Sequence, residues 1–345
     1  MSSALIHASS PILASRTHSS KPKYTSTARS SMASARARIA VVGDVHGFWN
    51  LEEDTKALRF LQPDLVLFTG DFGEEDVELV QSVADLSFSK AVILGNHDAW
   101  HTQQFSGKKK DGVQLQLECL GQEHIGYRRL DFPILKLSVV GGRPFSCGGG
   151  QVFRKRLLSA RYGIQDMDGS ASRIYHTAQG APEDHLVILL AHNGPTGFGS
   201  ELNDICGKDW VFGGGDHGDP DLAQAISQLK ETTKFCIPLV VFGHMHKELA
   251  YGNGLRKMIV VGADNTIYLN GAIVPRVKGW VNEQNATKVE DETQLPSSES
   301  GGTTRAFTMV EILNRRVDKI AETWVSVVGD KTALQEEHIL FQRSD

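Results

Sequence analysis

Seven stretches of nearly unbroken Val, Ile and Leu punctuate the chain: "RIAVVG" (38–43), "DLVLFTG" (64–70), "KAVILGN" (90–96), "ILKLSVVGG" (134–142), "HLVILLAH" (185–192), "PLVVFGH" (238–244) and "KMIVVG" (257–262). A strand with one face in water alternates apolar and polar residues, whereas these runs suit strands buried on both faces. Helical patterns lie between the first three. "NLEEDTKALRFL" places Leu51, Leu58 and Leu61 on one side, and "EEDVELVQSVADL" groups Val77, Val80, Val83 and Ala84. Asp219 and Pro220 open "DPDLAQAISQLK" as a helix start. Alternating β and α elements predict a layered α/β domain.

The chain has 345 residues, 40% of them hydrophobic, enough for a substantial core. No apolar run approaches the roughly 18 residues of a membrane span. Residues 1–37 read as a separate segment. No Asp or Glu occurs before Asp44, and the first 36 residues hold 11 Ser, three Thr and five Arg or Lys. Ser-rich, acid-poor composition of this kind predicts a disordered transit peptide, for the chloroplast before the mitochondrion. Without it the chain carries 31 basic and 41 acidic residues, so nucleic acid is not an expected partner. The domain is expected over 38–330. A polar, aperiodic stretch at 282–304 reads as a mobile insertion. "RAFTMVEIL" and "KIAETWVSVV" read as two closing strands joined near "NRRVD", and 331–345 as a C-terminal tail. Cys119, Cys147, Cys206 and Cys236 form no CxxC pair and suit a reducing compartment.

Five of the runs end in residues that bind metals. The first ends in Asp44-Val-His46-Gly47, the second in Gly70-Asp71 and the third in Gly95-Asn96-His97-Asp98. Two more end in His192-Asn193 and in Gly243-His244-Met245-His246. The carboxyl edge of a parallel sheet is where α/β folds bind ligands. Residues two apart on an extended chain point the same way, so Asp44 with His46, and His244 with His246, can address one point. Hard oxygen mixed with imidazole suits Zn, Fe or Mn rather than Ca. Asp44, His46, Asp71, Asn96, His192, His244 and His246 are too many for one tetrahedral ion and enough for two if a carboxylate bridges.

This order of motifs, D-x-H-G, G-D, G-N-H-D, an isolated H and G-H-x-H, resembles the calcineurin-like metallophosphoesterase family over about residues 38 to 262. The resemblance implies a four-layer αββα sandwich with two metal ions at one edge. It implies that Asp44, His46, Asp71 and His246 hold the first ion, that Asp71, Asn96, His192 and His244 hold the second, and that Asp71 bridges. The ions would activate a hydroxide and neutralise phosphoryl oxygens. His97 would be the general acid for the leaving oxygen, oriented by a carboxylate; Glu74, where many relatives place that acid, and Asp98 are the two candidates. Glu74 also fits a favourable charge at a helix start.

The implied enzyme hydrolyses a phosphate ester, mono or di. The protein Ser/Thr phosphatases resemble G-D-x-V-D-R-G after the second strand, but "GDFGEED" lacks that Arg, and no Arg adjoins Asn96 or His192. A small phosphorylated substrate is therefore favoured over a protein, with a catalytically silent metal-binding scaffold as the reading from another class. "GGRPFS" and "HNGPTG" look like the cyanobacterial and plastid members. Arg143 could grip a substrate phosphate through its fork of donors or simply cover a sheet edge, and Asn193, the neighbour of His192, could likewise approach the substrate. The glycine-rich loop from Gly194 to Asp219 reads as substrate-shaping. Its Asp216 and His217 are further possible donors, though no G-K-[ST] follows "GGGDHG" to make a phosphate loop.

Overall fold

In the computed structural model, residues 36–279 and 302–344 are described. The predicted transit segment, up to residue 35, and nearly all of the 282–304 stretch lie outside them.

Two sheets face one another. The first contains β1 (Arg36–Val42), β2 (Leu65–Phe68), β3 (Lys90–Val92), β10 (Val277–Gly279), β11 (Thr303–Leu313), β12 (Arg316–Val328) and β13 (Lys331–Gln342). Its order is β13-β12-β11-β1-β2-β3, with β10 also paired to β11. The second contains β4 (Arg129–Phe132), β5 (Leu137–Gly141), β6 (Leu186–Leu190), β7 (Leu239–Phe242), β8 (Ile259–Val261) and β9 (Ile267–Asn270), in the order β4-β5-β6-β7-β9-β8. β1, β2 and β3 run parallel, as do β5, β6, β7 and β9.

Alternation along the buried strands gives each residue a side. Ile39, Val41, Leu65, Leu67, Ala91 and Ile93 pack against Val139, Ile188, Leu190, Val241 and Leu269 between the sheets. Ala40, Val42, Val66 and Phe68 join a core that includes helical Leu58, Val80, Val83 and Leu117. Each large aliphatic side chain buried in this way contributes roughly 1.5–3 kcal/mol. The helices are α1 (Leu51–Leu61), α2 (Val77–Ala84), α3 (Gly112–Leu120), α4 (Lys155–Tyr162), α5 (Met167–Gln179) and α6 (Pro220–Thr232). α1 starts where the Asn50 side chain accepts the Glu53 amide, carries Glu52, Glu53 and Asp54 in its first turn, and stops at Gln62 in the left-handed conformation. It packs against β12 and β13, while α5 lies against β5 and pairs with α6. Helices thus flank both sheets, the expected sandwich.

Three expected boundaries change. Residues 331–345 are not a tail: β13 pairs with β12 around the two-residue turn Gly329-Asp330. Its side chains are mostly exposed, so its place is fixed by main-chain bonds rather than by an apolar pattern. β1 begins at Arg36, which pairs with Leu313, so the fold starts before residue 38. Thr303 and Thr304, assigned above to the insertion, belong to β11.

Candidate metal centre

The parallel strands of both sheets end at one edge, and the predicted ligand residues meet there. They form two clusters, Asp44 with His46 and His246, and Asp71 with His192 and His244, whose ligand atoms lie within 4.8 Å of one another in each cluster. His46 Nε2 faces His246 Nε2 at 3.0 Å. His246 Nε2 is 3.6 Å from Asp44 Oδ2. Asp71 Oδ2 lies 3.4 Å from His192 Nε2 and 4.0 Å from His46 Nε2, so this one oxygen faces both clusters. Asn96 Oδ1 is 2.9 Å from His192 Nε2.

The backbone is bent to achieve this. Asp44, His46, Asp71 and His244 all have positive φ, at 37°, 44°, 50° and 66°. Non-glycine residues avoid that region, and such departures concentrate at functional sites. Two glycines make the room. A Cβ on Gly95 would fall 2.2 Å from Asp71 Oδ1, and one on Gly243 would fall 2.1 Å from Asp44 Oδ1. Thr69, which the sequence reading passed over, ties the sheets together. Its hydroxyl donates to Asp44 Oδ1 at 3.1 Å and its carbonyl accepts from His192 Nδ1 at 2.7 Å. The latter bond leaves Nε2 of His192 facing Asp71.

These donors fit cations. Asp44 Oδ2 is buried and has no hydrogen-bond partner, and two ring nitrogens face each other across 3.0 Å. An unpaired buried carboxylate oxygen is costly unless positive charge meets it. Burial lowers the pKa of His46, against the pull of Asp44 and Asp71, and with His192 beside it lowers that of His244 well below the usual value. Both rings are thereby held in the neutral form that binds metals. Burial disfavours a charged His192 too, but the Asp71 carboxylate outweighs it and pushes this imidazole up to about 10. Burial likewise opposes ionisation of Asp71, and His192 overcomes it, holding the carboxyl well below the usual range. The site therefore attracts positive charge to the side of Asp71.

His97 reaches the same cavity, of about 360 Å³, which Asp71, Cys147, His217, His244 and His246 also line. Its amide donates to Asp71 Oδ1 at 2.8 Å. Its ring stacks on Trp100, centroids 4.8 Å apart and 6° from parallel, and meets the edge of His46 at 5.0 Å. Neither expected orienting acid touches that ring. Glu74 is exposed and lies 3.8 Å from His101 instead. Asp98 is buried with its carboxylate turned away, accepting the amides of Asp71 (2.9 Å), Gly95 (2.7 Å) and Phe72 (2.9 Å). It clamps the loops that carry Asp71 and Asn96. The neighbouring Glu75 holds the turn after His97, accepting from the His101 amide at 2.6 Å and the Thr102 hydroxyl at 2.8 Å.

The two expected substrate contacts are also structural. Arg143 is buried between Asp219, at 2.8 Å, and Asp221, at 2.9 Å. Asp219 is thus drawn off from capping α6, where the sequence pattern suggested it would serve. Asn193 is buried too, its amide donating to the His217 carbonyl at 2.8 Å and to Asp219 at 3.3 Å.

The chain was compared with known proteins. A search of curated proteins found no significant match. Among solved structures, it is similar to a dimetal phosphatase from Danio rerio, 9% identical, covering 89% of this chain and 99% of that one at a TM-score of 0.41. It is similar to a predicted phosphoesterase from Streptococcus pneumoniae, 12% identical over 88% and 98% of the two chains, TM-score 0.31. It is also similar to PhoD, 9% identical over 90% and 72%, TM-score 0.45. Overlays this loose carry no argument. The sequence itself decides the matter, because residues 37–248, which include all five strand ends described above, match the model of the calcineurin-like phosphoesterases. The chain therefore belongs to the calcineurin-like phosphoesterase family, whose members are metal-dependent hydrolases.

Proposed function

We propose that this protein hydrolyses small phosphate esters at a dinuclear centre. Asp44, His46, Asp71 and His246 would hold one ion, and Asp71, Asn96, His192 and His244 the other, with Mn, Fe or Zn matching the donor set. The observation that carries this reading is Asp71 Oδ2, placed within reach of both clusters at 3.4 Å and 4.0 Å. When bound, the ions supply Lewis acidity, acidifying water and neutralising phosphoryl charge.

The chain's own groups do the rest. The His97 ring, fixed by Trp100, lies against His46 and faces the cavity, so it can hand a proton to the departing alkoxide oxygen. Thr69 fixes the His192 ring, and Asp98 fixes the two loops on which Asp71 and Asn96 ride. A small substrate is favoured by the modest cavity and by the engagement of Arg143 and Arg256 elsewhere. Arg143 serves two carboxylates, and Arg256, in the cavity wall, donates to the carbonyls of His246, Asp204 and Gly207. We further propose that residues 1–37 direct the protein to the chloroplast, on composition alone.

Turnover of metal-loaded protein against phosphomonoesters, phosphodiesters and phosphopeptides tests the function. Hydrolysis of small esters that disappears on chelation and returns with metal is expected. A protein that binds two ions and cleaves no ester would refute it, and a preference for phosphopeptides would favour the protein phosphatase.

A further inference from the structure

The loop between β6 and α6 is built rather than slack. The Cys206 amide donates to Phe198 O at 3.0 Å, the His217 amide to Cys206 O at 2.8 Å and the Lys208 amide to Gly215 O at 2.8 Å. Arg256 pins it through the carbonyls of Asp204 and Gly207 and through Asp209 at 3.2 Å. The result is a tongue with Trp210, Val211 and Phe212 at its tip. All three are exposed, Phe212 fully. The Ala250 amide donates to Asp209 Oδ2 at 2.7 Å. That bond ties the segment carrying Trp210 to the one carrying Tyr251. Tyr251 is 86% exposed.

Trp210, Val211 and Phe212 form an exposed apolar tip, and its Trp210 end lines the cavity of the metal centre; exposed apolar patches mark binding surfaces. An aromatic wall runs inward from them. The Trp210 ring meets the edge of His217 at 4.9 Å, and His217 in turn stacks on His244 at 5.7 Å and 25°. Trp210 and His217 line the same cavity as Asp71 and His97. At about 360 Å³ it sits at the small end of ligand sites. Among the described residues lining it, Arg256 is the one Lys or Arg, and its donors are engaged. Glu248 and Asp209 add negative charge at the mouth. The cavity wall keeps no free arginine for a second phosphate, although Lys208 acts on His217 nearby, whereas Trp210 offers its face to a flat group.

We infer that the organic part of the substrate is a planar unsaturated ring that stacks on Trp210, one ester's reach from the metal pair. This rests on the phosphoester-hydrolase reading. The ring could be a nucleobase or a simple arene, and both offer a flat π face.

Adenosine 5′-monophosphate, 2-phenylethyl phosphate and ribose 5-phosphate separate the alternatives, since all three release a primary alkoxide and differ in the group beyond it. In metal-loaded full-length protein, kcat/KM should be higher for the two ring-bearing esters than for ribose 5-phosphate. Trp210→Ala should reduce that preference by roughly 5- to 100-fold, the scale of one base–aromatic stack, and Trp210→Phe should keep most of it. A marked lead of the adenosine ester over the phenylethyl ester identifies a nucleobase; parity identifies any arene. If Trp210→Ala folds poorly, the comparison of Trp210→Phe with Trp210→Leu decides. Equal kcat/KM for all three substrates in the wild type, or equal losses on all three with metals retained, would overturn the inference and leave the hydrolase reading standing. Turnover of other esters but of none of these three would overturn the inference alone, and no turnover of any ester by metal-loaded wild type would remove both.

Discussion

Asp71→Asn is the sharpest perturbation of the centre. Asparagine keeps the shape of the side chain and the acceptor for the His97 amide, and removes the charge. The structure gives the scale. At His192 burial works against a positive charge, yet Asp71, helped by Asp44 and the Thr69 carbonyl, raises the imidazole from 6.5 to about 10. At about 1.36 kcal/mol per unit, that is on the order of 5 kcal/mol in favour of positive charge. Asp71 is the largest source of that pull, so losing its charge should weaken an ion beside His192 by on the order of 10- to 100-fold. Because the same oxygen also faces His46, the ion of the other cluster should weaken with it. Metal content per chain after gel filtration, at fixed free metal, reads this directly. Asp71→Asn should lose both ions together, whereas His246→Asn should chiefly lose one. Circular dichroism should show both variants folded. A wild type that holds one ion, or an Asp71→Asn protein that keeps two, would refute the bridging oxygen.

Other changes read other parts of the site. His97→Asn should keep its metals and lose roughly 10²–10⁴-fold in kcat/KM on alkyl esters, and far less on nitrophenyl esters, whose phenolate leaves without a proton; equal losses would assign His97 to positioning. Arg143→Ala should leave KM nearly unchanged and lower stability by about 3–5 kcal/mol in urea titration, since Asp219 and Asp221 would be buried unpaired; a rise in KM without loss of stability would restore a substrate role. Asp98→Ala strands three buried amides at roughly 1 kcal/mol or more each, so its melting temperature should fall together with metal affinity. A reporter fused to residues 1–40 should enter isolated chloroplasts; uptake by mitochondria alone would correct the destination.

The candidate ligand residues were legible because their signal is local. Each follows a strand written in Val, Ile and Leu. The spacing of two misled in part: Asp44 and His46 join one cluster but through left-handed rather than extended backbone, and His244 and His246 part, one to each cluster. What surrounds the candidate ligands was not legible, because its partners are remote in sequence. Arg143 carries donors suited to phosphate, but the carboxylates that claim them stand at 219 and 221, on another element. Glu74 follows Asp71 by three residues, yet the chain reverses at Glu75, with φ of 57°, and turns Glu74 outward. β13 escaped notice for a different reason. A strand on the outer edge of a sheet needs no apolar face, and "KTALQEEHILFQ" offers little regular pattern. The short β4 and β9 were missed as well; β9 has only four residues, Ile267–Asn270, and gains its place between β7 and β8 from tertiary context.

The seat of β1 has a consequence for the order in which the molecule can be completed. Every candidate ligand is encoded between Asp44 and His246, but the strand that delivers Asp44 and His46 is held on one side by β11, with Ile39 opposite Val310. A polypeptide leaving the ribosome amino end first has therefore spelled out all seven ligands before the partner of β1 exists. Until then that strand has a bare edge, and closing the gap joins residues some 270 positions apart, the kind of contact that forms late and slowly. A messenger truncated soon after the codon for His246 would yield every motif and no properly seated Asp44 or His46, so the last hundred residues, whose described part supplies no candidate ligand, are still part of what makes the centre.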